Sequence, residues 1–186
     1  MNWGKLIGIG IIGCCLLGGS TGCGPRRSAA VMGLSVDDAG QPVMVLQDCQ
    51  GVIDEIEFYD LSVAPSNPTV GSTPVVEYTN PDPQKAVVTI PLAGGDGWKP
   101  SGPAPALQAA GRYAIKIWGD DHDWAALEAR FTVADLKGLK PGVVRYRPLT
   151  NSPSAGGSPI GRTFSADGQD WYIVTPLGDF TPDDCS

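Results

Sequence analysis

Histidine occurs once in the 186 residues, and charged side chains make up only 18% of them. A single imidazole, His122, excludes histidine-rich metal centres and makes any hydrolytic triad depend on that one position. Beyond residue 22 no serine stands in a Gly-x-Ser-x-Gly context, which removes the nucleophile elbow. Gly94-Gly95-Asp96-Gly97 has no Lys-Ser step after it, so it reads as a turn that seats Trp98 and not as a phosphate loop. Basic residues are in the minority, 13 against 20 acidic ones, for a formal net charge of −7. Such a surface repels nucleic acid and anionic lipid headgroups, and neither is expected as a partner. Long apolar runs are missing too. The stretch from Leu6 to Leu17 is diluted by Gly8, Gly10 and Gly13, and falls well short of the roughly 20 residues a membrane-spanning helix needs.

What stands at the N-terminus is an ordered set of export features. Lys5 supplies a positive charge, Leu6 to Leu17 an apolar core, and Ser20-Thr21-Gly22-Cys23 a small-residue close. The segment resembles a bacterial lipoprotein signal, in which a cysteine is acylated and becomes the new N-terminus. Thr21, Gly22 and Cys23 match that pattern, whereas Ser20 stands where the family prefers leucine. Ile11-Ile12-Gly13-Cys14 matches in letters but leaves too short an apolar stretch ahead of it. Cleavage after Ser28-Ala29-Ala30, giving a soluble secreted product, and an uncleaved anchor are the competing readings. The resemblance implies acylation of Cys23 and localisation at the extracytoplasmic face of the cell membrane. It also implies contact with that membrane through acyl chains alone, and no cofactor beyond the covalent lipid. Removal of residues 1–22 leaves 164 residues and, with the loss of Lys5, a net charge of −8. That length suits one domain burying about 70% of its unfolded surface.

Five cysteines are present, but Cys14 and Cys15 lie in the signal and Cys23 at its end, so Cys49 and Cys185 remain. Outside the cytoplasm, two remaining thiols read as one structural disulfide, Cys49–Cys185. Two free thiols or a metal pair is the alternative, disfavoured because neither cysteine has a ligand at metal spacing.

From residue 31 to 148 the chain is a series of short alternating segments punctuated by Gly, Pro, Asn and Asp, the pattern of an all-β protein. Eight strands are predicted: Leu34 to Val36, Val43 to Leu46, Ile53 to Tyr59, Val75 to Tyr78, Ala86 to Pro91, Arg112 to Trp118, Leu127 to Val133 and Val143 to Tyr146. Tyr113, Ile115 and Ile117 share one face of theirs, and Ala114, Lys116 and Trp118 the other. The register of Ile53 to Tyr59 stays open, because apolar and acidic residues occur on both of its faces. Ala134 to Leu139 is the single helical hint, with Thr132 or Asp135 as cap. The architecture expected is an immunoglobulin-like antiparallel β-sandwich. Residues 23–30 read as a tether, and 149–186 as an extension packed on the sandwich with a late hairpin around Asp167-Gly168.

Chemistry-bearing residues are sparse. Asp120, Asp121 and Asp123 surround His122 and are the candidate oxygen ligands for Ca²⁺, although the run lacks calcium-loop spacing. The competing reading is a solvated hairpin tip. Trp98, Trp118 and Trp124 could stack on glycan rings, against the commoner fate of core packing. Carboxylate neighbours such as Asp54 and Glu55 alternate across a strand, so no catalytic residues are assigned and the chain reads as non-enzymatic.

Gly33-Leu34-Ser35-Val36-Asp37-Asp38, Pro42 to Leu46 with Cys49, Gly111-Arg112-Tyr113, Trp124, Phe131 to Leu136 and Gly142 to Tyr146 together look like small uncharacterised lipoproteins of high-GC Gram-positive bacteria and their phages. The resemblance spans most of residues 31–148 and carries no established activity. It implies a surface role, as a binding or envelope module with an envelope protein or glycan as partner. A phage-encoded surface exclusion lipoprotein and a calcium-dependent glycan-binding module are the alternatives.

Overall fold

A computed structural model of the chain describes residues 30–63, 73–119, 124–148, 161–164 and 171–180. The first three strands are β1 Ala30–Val36, β2 Pro42–Asp48 and β3 Ile53–Asp60. They are followed by β4 Val76–Thr79, β5 Val87–Pro91, β6 Lys99–Pro100, β7 Arg112–Gly119, β8 Trp124–Ala125 and β9 Ala129–Thr132. After the short helix α1, Val133–Leu136, come β10 Val143–Tyr146, β11 Gly161–Phe164, β12 Trp171–Pro176 and a closing 3-10 turn, Leu177–Asp179. The strands form two antiparallel six-stranded sheets, one ordered β11-β12-β10-β1-β2-β5 and the other β6-β4-β3-β7-β8 with β9 also paired to β7. The molecule is an all-β sandwich, and all eight predicted strands are present, Val143–Tyr146 with the predicted ends and the others with shifted ones.

The alternation of β7 organises the core. Tyr113, Ile115 and Ile117 point between the sheets and pack with Phe58, Phe131, Met32, Leu34 and Met44. The Phe58, Tyr113 and Phe131 rings pack with centroids 5.4–6.1 Å apart, an edge-to-face and tilted set typical of buried aromatics. A second apolar cluster lies on the outer face of the first sheet, where Val31, Val45, Val144, Tyr146, Ile173 and Phe180 are buried. Burial on both faces explains why β1 reads as a nearly continuous apolar run.

The ambiguous register of β3 resolves through a bulge. Pairing with β7 slips between Ile53 and Glu55, so one extra residue changes the phase. Ile53, Ile56 and Phe58 all reach the core, while Glu55, Glu57 and Tyr59 share the outer side. At the same place β7 ends in Gly119, where a Cβ would collide with the carbonyl of Val52. The two backbones approach too closely for any side chain.

Several boundaries correct the sequence reading. β1 begins at Ala30, fully buried, four residues ahead of the predicted Leu34. The strand predicted over Leu127 to Val133 is shorter, ending at Thr132, which is both its last paired residue and the cap of α1. Its hydroxyl accepts from the Asp135 N–H while the Asp135 carboxylate accepts from the Thr132 N–H at 2.7 Å. That reciprocal box outcompetes continued strand pairing. The predicted turn around Asp38-Ala39-Gly40 is present, with Asp37 Oδ1 accepting from the N–H groups of Ala39 and Gln41. The C-terminal part does more than pack on the sandwich. β12 pairs along β10 from Val143↔Pro176 to Tyr146↔Ile173, and β11 pairs with β12, so both extend the first sheet. Their ladder satisfies backbone groups that an edge at β10 would leave open. Asp167 and Gly168 lie outside the described residues.

Candidate functional site

The residues singled out by sequence scatter. Cys23, Cys185, Asp120, Asp121, His122 and Asp123 lie outside the described residues. Trp124 opens β8 opposite Gly119. Trp98 is a correction to the glycan-platform reading: it is 3% exposed inside the core. The Gly95↔Trp98 bridge and the left-handed Asp96 (φ 51) turn its indole inward, so it has no ring face to offer a sugar. Cys49, just past β2, is 4% exposed and disulfide-bonded. The neighbouring Asp48 carboxylate accepts the N–H groups of Gln50, Gly51 and Ile53 at 2.7–3.0 Å, which shapes the crossing from the first sheet to the second.

Trp118 belongs to a polar network on the outer face of the second sheet, centred on Glu57, which is 9% exposed. Glu57 Oε2 accepts from the Tyr59 hydroxyl at 2.7 Å and from the Trp118 indole N–H. Across the ladder Glu57 faces Glu77 on one side and Lys116 on the other. The Lys116 ammonium stands 5.7 Å from the centre of the Trp118 ring and pairs with Glu128 at 3.9 Å, and Glu128 also meets Arg130. Burial first, then the hydrogen bond to Glu57 and the surrounding carboxylates, push the Tyr59 phenol well above its ordinary range. The network occupies its own groups: Glu55, Tyr59, Lys116, Trp118 and Arg130 all have further partners. It pins the outer face of the second sheet.

A second network joins the sheets. Arg145, 3% exposed on β10, reaches Asp135 of α1 at 3.4 Å and the Arg130 carbonyl at 3.4 Å. Its guanidinium lies 3.6 Å from the centre of the Tyr172 ring, and the Tyr172 hydroxyl donates to the same Arg130 carbonyl at 2.9 Å. Cation, carboxylate and ring form a latch between the sheets.

Open space occurs at the pole formed by the β1–β2 turn. There a cleft of about 610 Å³ is bounded by Asp37, Gln41 and Pro42 of the turn region, Pro91 to Ala93 after β5, Ala104 to Leu107, and Val133, Leu136 and Lys137 of α1 and its end. Its floor is continuous with the core, to which Leu92, Leu107, Val133 and Leu136 belong. Sequence reasoning missed this cleft, because its walls come from four distant segments, none carrying a motif. A proline in three of the walls, Pro42, Pro91 and Pro105, was the only signal. Its volume lies in the range of small-molecule sites, about 300–1,000 Å³. Among the described residues, no group of three or more His, Cys, Asp or Glu is placed to hold a metal ion, and no helix is long and apolar enough to cross a membrane. No family model, curated protein or solved structure matches the chain.

Proposed function

We propose that this protein is a lipid-anchored extracytoplasmic binding module, non-enzymatic, held by an acylated Cys23 and presenting its apolar cleft away from the membrane. The observation that carries this reading is the direction of β1. The strand starts at Ala30, directly after the six residues that follow Cys23, and ends at Val36 beside Asp37 at the cleft. Seven residues of strand separate the two poles by about 20 Å. An anchor at one end therefore leaves the cleft facing outward, as a surface or exclusion role requires. The order β1–β2–β5 in one sheet and β4–β3–β7–β9 in the other supports an immunoglobulin-like reading of the sandwich, with β10 to β12 as an addition. The buried Cys49 sulfur supports an oxidising compartment, with Cys185 as its partner.

Intact-mass analysis of membrane-extracted protein tests the anchor: the expected species begins at Cys23 and carries diacylglycerol-type mass, and Cys23→Ala moves the protein out of the membrane fraction. Recovery from the cytosol with Met1 retained would overturn the reading.

A further inference from the structure

The geometry points to a ligand class for the cleft: a single-chain amphiphile with an alkyl body and a carboxylate head. This deepens the binding-module reading and rests on it for the cleft's role, though not for its chemistry. The apolar body follows from the lining, whose floor is Leu92, Leu107, Val133 and Leu136. The prolines count against an extended peptide. Pro42, Pro91 and Pro105 line three of the walls and have no N–H to donate, so those walls offer a peptide fewer ladder donors for the amides it would desolvate. A hydrocarbon chain has no such groups.

The head group follows from charge at the mouth. Among the described residues, two side chains of charged type line the cleft, Asp37 and Lys137. Asp37 is committed to its turn through the N–H groups of Ala39 and Gln41. Lys137 is exposed, and its ammonium makes no hydrogen bond or ion pair among the described residues. The Gln41 amide lines the same mouth. An ammonium and an amide donor beside an apolar floor match a carboxylate whose chain lies inward. The protein's net negative charge opposes this only at range, and salt screens it beyond about 8 Å.

The test is calorimetric titration of the mature protein in phosphatidylcholine nanodiscs with decanoate, octanoate, decanol and decyltrimethylammonium below their micellar concentrations. Ala106→Trp, which adds bulk to the cleft's lining, in identical discs with the same bilayer partition is the reference. Decanoate is expected to bind the parent protein and not Ala106→Trp, and octanoate to bind up to about fifteenfold more weakly, for two fewer buried methylenes. Lys137→Gln is expected to weaken decanoate about two- to fivefold, as for an exposed ion pair, and to leave decanol unchanged. Equal heats for parent and Ala106→Trp overturn the site, and stronger binding of decyltrimethylammonium than of decanoate overturns the head group. Protein eluting apart from the discs overturns the anchor alone, and the same titration then proceeds in buffer.

Discussion

Gly119 and Gly102 differ by one atom's worth of space. A Cβ on Gly119 would run into the Val52 carbonyl, whereas around Gly102 nothing lies within 4 Å. Gly119→Ala is therefore expected to lower unfolding free energy by about 1–3 kcal/mol through overpacking, and Gly102→Ala to leave it within about 0.5 kcal/mol, both read by urea denaturation. Tyr78 carries a second residue-level consequence. Its hydroxyl donates to the Leu92 carbonyl at 2.8 Å, and burial pushes its pKa from 10.0 up to about 12. A phenol whose folded pKa exceeds its unfolded one stabilises fully below the unfolded value and loses that contribution as pH rises through the folded one. Stability is expected to fall between about pH 10 and pH 12. Tyr78→Phe should flatten this decline and lower stability at pH 7 by about 1 kcal/mol, for the carbonyl left without its donor. Urea unfolding of both proteins across that range checks the sign, and an unchanged slope would refute the assignment.

The latch between sheets belongs to the scale of elements. Asp135 both closes the cap of α1 and receives Arg145 from β10, so one carboxylate ties the end of the second sheet to the first. Removing it leaves a buried cation, for which about 3–5 kcal/mol is lost. Asp135→Ala is expected to lose that much, Thr132→Ala only about 1 kcal/mol. Asp135→Ala with Arg145→Met should lose less than the two single changes added together. A double-mutant cycle by chemical denaturation measures the coupling, and strict additivity would dissolve the latch. At this scale the sequence was legible in part. A helix start capped by Thr132 or Asp135 and the alternation of β7 were readable, because both are local patterns, whereas the reciprocal use of both residues in one cap was not. The phase of β3 was not, since a bulge is set by what the partner strand tolerates, and that partner is more than fifty positions away in the chain. Nor was Arg145 readable as a buried group, because its carboxylate and its ring come from α1 and β12.

At the scale of the whole molecule the feature to test is the cross-link at Cys49. If Cys185 is its partner, the closed loop spans 136 positions, and the chain-entropy model assigns about 5 kcal/mol as an upper figure. Reduction should lower the melting temperature, Cys185→Ser should reproduce that shift without reductant, and neither should alter the other when combined. A melting temperature indifferent to both would remove the pairing. The β10–β12 extension deepens the same fold, giving the first sheet a second apolar face that β1 alone could not cover.

By itself the sequence determined the all-β class, the places where the chain turns and the inward face of β7, because these depend on residues within one or two periods of each other. Tertiary structure alone decided the phase of β3, the Arg145 latch and the cleft beside Lys137. Each of those is a meeting of segments far apart in the chain, and closure between distant segments is governed by the fit of packed surfaces and paired charges, which no local pattern encodes.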